Sequence, residues 1–178
     1  KDGEMNEQSR QTLNNVAPNF VELAHGACLA RFEYLTKIKG AAVSAASDWD
    51  QMVYAPKMAL ILIAGKDFRL TLKAHYKPKS FSQYMNKQIT RDRVNDMFRE
   101  YCNLVAGAIK QPLISEGIIC GISLPTVTSG YDELVFSDRF RGAKLKECFE
   151  VGKEEAKIVI TLNVETSELR HSNFLAWL

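Results

Sequence analysis

The stretch KMALILIAGKDFRLTLKAHY, residues 57–76, limits what the chain can fold into more than any other. Its first half is an unbroken apolar run of strand length. Its second half alternates Phe68, Leu70 and Leu72 with Arg69, Thr71 and Lys73. Alternation of period two marks a strand with two different faces. The Gly65-Lys66-Asp67 break between the halves suits a tight connection, so the pair is expected to form an antiparallel hairpin with one face in water. Further strands are expected in GAAVSAAS, IICGISLPTVTSG, RGAKLKECFEVG and AKIVITLNVE, with Gly152-Lys153-Glu154 turning the last pair.

Helical periodicity occupies the rest. A helix is expected from about Asn15 to Leu35, with Pro18 in its first turn, where a missing N–H costs nothing. Phe20, Leu23, Ala24, Ala27, Cys28 and Phe32 form its apolar stripe. PKSFSQYMNKQ suits a short helix, and a long one is expected from Thr90, as cap, to Ser115, with Gly117 as its stop. Helices are grouped and do not alternate with strands. That order predicts an α+β domain with a mostly antiparallel sheet and long helices packed on one face. The second half, helix then strands, loosely echoes the first as a pseudo-repeat of pattern. At 178 residues the chain is one domain. Residues 1–11 look loose, and 167–178 form an extension ending in the apolar FLAWL.

Composition narrows the function classes. A formal charge of +2 predicts no bulk attraction to nucleic acid or membrane. No apolar run approaches the ~20 residues of a membrane helix. The amino end is polar and acidic, unlike a secretory signal; it begins at Lys1, which leaves a truncated or appended start open. Cys28, Cys102, Cys120 and Cys148 lie far apart among apolar neighbours, as reduced core thiols do, and neither they nor His25, His75 and His171 have zinc-site spacing. The expected compartment is a reducing cytoplasm. Residues 57–93 carry Lys57, Lys66, Arg69, Lys73, Lys77, Lys79, Lys87, Arg91 and Arg93 against only Asp67 and Asp92. Aromatics are not interleaved as a stacking platform would need, so a solvated surface or a docking patch for an acidic partner is favoured over nucleic-acid binding.

The long helix carries the sharpest signal. At about 100° per residue, Val94, Met97, Phe98, Tyr101, Leu104, Val105, Ala108 and Ile109 fall on one broad arc, the expected core face. Asp96, Glu100, Asn103 and Gly107 fall within about 60° on the opposite side. A plain solvated face is one account of them. Asn and Gly are poor choices for that, since Asn competes for backbone bonds and Gly costs ~1 kcal/mol against Ala in an exposed helix interior. With Ala106 and Gly107 leaving the helix surface bare beside Asn103, a contact surface for a partner is the other account.

The residues DMFREYCN, Asp96 to Asn103, resemble the D/S-x-x-x-E-x-x-N helix of the CheC/CheX/FliY chemotaxis phosphatases. Pro125 in GISLPTVTSG stands a little over twenty residues later, near where that family has a proline, and the phrase NLVAGAIKQPLISEGIICGISLPTVTSG is similar to the family's segment as a whole. NNVAPNFVELA resembles its first helix, and RGAKLKECFEVGKEEAKIVITLNVE its closing hairpin. The resemblance spans roughly residues 12–166. Glu22-Leu-Ala-His25 has His where a second motif would have Asn, so the pattern is CheX-like, with a single motif.

The resemblance implies a phosphatase for the aspartyl phosphate of a CheY-like response regulator. Asn103 would orient the attacking water and Glu100 would pair with the regulator's lysine, with Asp96 and Gly107 at the partner-binding surface. No cofactor of its own is implied, since Mg²⁺ belongs to the regulator, and a homodimer paired through its sheets is implied. A non-catalytic adaptor or scaffold in a chemotaxis, flagellar or other two-component pathway is the alternative that the resemblance also admits.

Overall fold

The computed structural model describes residues 18–46, 56–65, 68–85, 89–115, 118–129 and 144–166. Its helices are α1 (Pro18–Thr36), α2 (Pro78–Tyr84) and α3 (Arg91–Ser115). The strands are β1 (Ala42–Ala45), β2 (Lys57–Gly65), β3 (Phe68–Tyr76), β4 (Cys120–Ile122), β5 (Thr126–Ser129), β6 (Lys144–Lys153) and β7 (Ala156–Thr166). The order is that of an α+β fold. Among the described residues all seven strands join one antiparallel sheet, ordered β1-β6-β7-β3-β2-β4, with β5 also paired to β2. The expected amino-terminal and carboxyl-terminal segments, the Lys66-Asp67 turn and the Gly117 stop lie outside the described residues.

Parity along the strands separates two faces. Ala59, Ile61 and Ile63 of β2, Phe68, Leu70, Leu72, Ala74 and Tyr76 of β3, and Ile158, Ile160, Leu162 and Val164 of β7 point to the same side. There they merge with Phe20, Ala24, Cys28 and Phe32 of α1 and with the buried side of α3 into a single apolar core. α1 packs on α3 and β6, while α3 packs on β2, β4 and β5. α1 ends without a glycine. Lys37 takes the left-handed conformation at φ 59°, and the Thr36 hydroxyl donates to the Phe32 carbonyl at 2.7 Å. One Glu33 carboxylate oxygen accepts from the N–H groups of Gly40 and Ala41, which ties the helix end to the start of β1.

The alternate face of β3 corrects an expectation. It is not in water: Thr71, Lys73 and His75 are buried, together with Met58, Leu60 and Val159 on neighbouring strands. β3 is a central strand, so its side chains are flanked on both sides, and its polar groups find partners across the sheet. His75 Nε2 lies 3.2 Å from the Thr161 hydroxyl, and Arg69 pairs with Glu165. Lys73 is therefore no part of an exposed basic surface.

The segment expected as one strand, IICGISLPTVTSG, is two. β4 and β5 both pair with β2, interrupted at Ser123, Leu124 and Pro125. Proline lacks the N–H that an uninterrupted ladder needs. At the far hairpin the turn sits at Glu154 (φ 52°). Gly152, with φ 151°, lies beside it, and a Cβ there would come within 2.3 Å of the Ala156 carbonyl oxygen. That close approach makes glycine necessary at 152.

Candidate functional site

α3 begins where the sequence puts a cap. The Thr90 carbonyl accepts from Val94 N–H at 3.2 Å, and its hydroxyl accepts a long bond from Arg93 N–H at 3.4 Å. Asp92 adds a carboxylate to the positive end of the helix dipole. The last turn is closed by the Ile118 N–H donating to the Leu113 carbonyl at 2.9 Å.

Aromatic packing sets the helix's rotation. The Phe98 ring stacks on Tyr76 with centroids 3.9 Å apart and meets Phe81 edge-on at 5.0 Å. Each such pair adds about 0.5–1.5 kcal/mol beyond area burial. The Tyr76 hydroxyl donates to Asn95 Oδ1 at 2.8 Å, and the Tyr101 hydroxyl donates to the Cys28 carbonyl at 3.2 Å. These contacts pin α3 to β3 and to α1, so the opposite side of the helix is held outward.

Asp96, Glu100 and Asn103 are all exposed on that outer side, and Gly107 is half-buried beside them. Glu100 and Asn103 are about 4.5 Å apart along the axis, nearly one turn. Among the described residues neither side chain has a hydrogen-bond or ion-pair partner. Asp96 does: it pairs with Arg99 on the helix surface. An exposed pair of this kind contributes ~0–1 kcal/mol and is easily exchanged for another partner. A Cβ added at Gly107 would meet nothing within 4 Å among the described residues, so none of them requires a glycine there.

The buried side of α3 differs from the expected arc. Val94, Phe98, Tyr101, Val105 and Ile109 are buried, but so are Cys102, Ala106 and Leu113, whereas Met97, Leu104 and Ala108 are half-buried. Ala106 is fully covered and does not widen a bare surface beside Asn103. The helix is packed by the sheet edge at β4 and β5 as well as by β2 and α1, which turns its contact arc toward Ala106. The bare area is thus narrower than expected and runs along Asp96, Glu100 and Asn103, with Gly107 at its border.

Sequence reasoning missed Ser123. Its N–H donates to the Leu62 carbonyl at 2.9 Å, and its hydroxyl accepts from the Leu62 N–H at 3.0 Å. The signal lay in the Ser-Leu-Pro interruption of an otherwise strand-like run.

The cysteines were expected as reduced core thiols, and two of the four, Cys120 and Cys148, are only half-buried. Cys28 and Cys102 are buried; burial pushes the Cys28 thiol up to about 12 and the Cys102 thiol well above its usual range. Such thiols are inert as nucleophiles. Among the described residues no group of three metal-binding side chains occurs. No described helix is long and apolar enough to cross a membrane. Lys77, Lys79 and Arg91 line a pocket of about 500 Å³ with Pro56, Pro78, Ile89 and Val94. Arg91 precedes Asn103 by about 18 Å of helix, so this pocket lies well away from Asn103.

No family model and no curated protein matches the sequence. Solved structures do match. Chemotaxis protein CheX from Vibrio vulnificus is similar at a TM-score of 0.61 and 17% identity, over 83% of this chain and 99% of that one. A structure of a CheX–CheY–BeF3–Mg²⁺ complex from Borrelia burgdorferi matches at 0.57 and 13% identity, over 83% of this chain and 97% of that one. A chain of the FliM–SpeE complex from H. pylori matches at 0.57 and 5% identity, over 98% of this chain and 96% of that one. The fold of this chain is that of the CheX and CheC-like chemotaxis proteins, as the E-x-x-N helix and the P-T-V strand implied.

Proposed function

We propose that this chain accelerates hydrolysis of the aspartyl phosphate of a CheY-type response regulator. The observation that carries the reading is the outer side of α3: a carboxylate and an amide, Glu100 and Asn103, exposed, unpartnered among the described residues and bordered by open space at Gly107. Phosphoryl transfer asks for positioning and electrostatics more than for covalent help. An amide can accept one hydrogen bond from a water and donate another to phosphate oxygen, so Asn103 holds the water in line with phosphorus. The water oxygen bonds to phosphorus, the bond to the aspartyl oxygen breaks, and inorganic phosphate leaves with the regulator's carboxylate restored. Glu100 pairs with the lysine of the regulator's active site and sets the register. Asp96 and Gly107 border the contact. Mg²⁺ is the regulator's, and no cofactor is assigned to this chain. The related CheX–CheY complex supports a partner of this kind.

The same proposal includes a homodimer paired through its sheets, a cytoplasmic setting and the helix-then-strands pseudo-repeat. The test is phosphate release from a phosphorylated receiver domain. Wild type is expected to speed it. Asn103→Ala should lower kcat ~100-fold, the scale of a lost positioning contact. Asn103→Asp should fail as well, because its carboxylate repels the phosphate. Glu100→Ala should act mainly through KM, by about tenfold. A second reading, a non-catalytic adaptor, is favoured by the likeness to the FliM–SpeE chain; it predicts tight regulator binding with phosphate release left at the intrinsic rate.

A further inference from the structure

The strand register hides one extra residue. Ile122 is opposite Ile63, and Thr126 is opposite Leu60. Three steps along β2 thus face four along the β4–β5 strand, which is a β-bulge at Ser123, Leu124 and Pro125. Ser123 holds it in place. Its hydroxyl takes the Leu62 N–H that a ladder carbonyl would otherwise accept, and donates to the Leu124 carbonyl at 3.2 Å. The residue expelled is Leu124, which is 87% exposed. Burying a leucine is worth about 1.5–3 kcal/mol. Here the chain forfeits that gain and keeps a hydrogen-bonded device that turns the side chain outward.

The position of the bulge matters. After α3 the chain reverses at Ile118 and runs back along the helix as β4, which α3 touches. The five steps of extended chain from Ile119 to Leu124 cover about 16 Å. α3 covers that length in about 11 residues. Ile119 is therefore level with the end of α3, and Leu124 is level with Asn103 to Gly107. Ile119 is 90% exposed. Ile114 is 46% exposed and lies at nearly the same angle on the helix as Asp96, so it extends the polar stripe. Single exposed apolar side chains are ordinary. Here one of them, expelled by a bulge, is level with the polar pair, and two more stand about 16 Å farther along at the end of α3, so the strip combines apolar and polar groups as an interface does.

We infer that Leu124, with Ile114 and Ile119, forms the apolar flank of the surface on which the receiver domain docks, and that Leu124 sets affinity and partner choice while Glu100 and Asn103 act on the phosphate. The inference rests on the proposed function for its occupant. A receiver of ~120 residues has a radius of gyration of about 14 Å, so one seated over Asn103 covers an adjacent strand.

Leu124→Asp and Ile119→Asp test it, since side chains this exposed can be changed without unfolding the protein. Phosphate release is measured across receiver concentration, and binding of the beryllofluoride-activated receiver by calorimetry. Leu124→Asp is expected to raise KM and Kd about tenfold and leave kcat within twofold, with a smaller rise for Ile119→Asp. Asn103→Ala should show the reverse split. Active wild type with unchanged KM and Kd in Leu124→Asp overturns this inference and leaves the phosphatase reading standing. Binding that depends on Leu124 without accelerated release overturns the phosphatase reading and keeps the inference. No binding of any CheY-type receiver overturns both.

Discussion

α1 and α3 are built alike and end in opposite uses. Each buries one apolar side in the shared core, and each carries a glutamate three residues ahead of a side chain with two hydrogen-bonding atoms: Glu22 and His25 on α1, Glu100 and Asn103 on α3. Both glutamates are exposed. The residues that follow them part company. His25 is half-buried, its ring edge-on to Phe149 with centroids 4.2 Å apart, and its Nε2 is covered without a hydrogen-bond partner among the described residues. Asn103 is exposed and has no partner among the described residues. The same spacing serves packing in one helix and leaves hydrogen-bonding capacity open in the other. A motif's spacing is therefore not a site until the rotation of its helix is known.

The comparison first needs the two helices to share their core equally. Phe32 and Phe98 are both fully buried and both reach Phe81, with centroids 6.0 Å and 5.0 Å away. Phe32→Ala and Phe98→Ala are each expected to cost about 3–5 kcal/mol in denaturant unfolding, through lost transfer energy and a cavity. A loss under about 1 kcal/mol at Phe32 alone would make α1 a peripheral element, and the contrast would then be between core and appendage.

The functional contrast comes next in size. In an Asn103→Ala background, His25→Asn restores the E-x-x-N spelling to α1. Phosphate release from a phosphorylated receiver should stay at the background rate, because position 25 faces Phe149 of β6 and not a partner. Rescue would mean that α1 presents a second usable surface and would end the asymmetry between α1 and α3. Stability should fall modestly, by ~1 kcal/mol, since the amide is a poorer fit against the Phe149 ring.

Much of the architecture was legible because it follows from periodicity. The hairpin of β2 and β3, the closing pair β6 and β7 and the described stretches of α1 and α3 fall where alternation and the 3.6-residue repeat put them. What escaped depends on which element lies next to which. Lys73 alternates as a water-facing residue would, yet a central strand flanked on both sides buries it. Ala106 lies off the apolar arc, yet packing at the sheet edge covers it. The bulge at Leu124 cannot be read from one strand, because it exists only in the register against β2. The polar stripe itself was legible, since Asp96, Glu100 and Asn103 are exposed as the helical wheel predicts. Its narrowness was not.

The finest comparison is between Gly26 and Gly107. Both lie within helices, and a Cβ at either would meet nothing within 4 Å among the described residues. Glycine inside a helix costs about 0.5–1 kcal/mol relative to alanine, through backbone entropy. Gly26→Ala and Gly107→Ala should therefore each stabilise the fold by up to that amount, visible as a raised denaturant midpoint with an unchanged slope. Their effects on a partner should differ. Gly26 follows the inward-turned His25, and its methyl should leave regulator binding untouched. Gly107 borders the open face beside Asn103, so its methyl should stand between α3 and the receiver and weaken binding by a few-fold while the isolated chain becomes more stable. Opposite signs on stability and binding from a single carbon identify a glycine kept for a contact outside the chain. Equal, purely stabilising effects at both sites would instead mark Gly107 as unused surface, and the outer side of α3 would lose its narrowest claim to be a docking face.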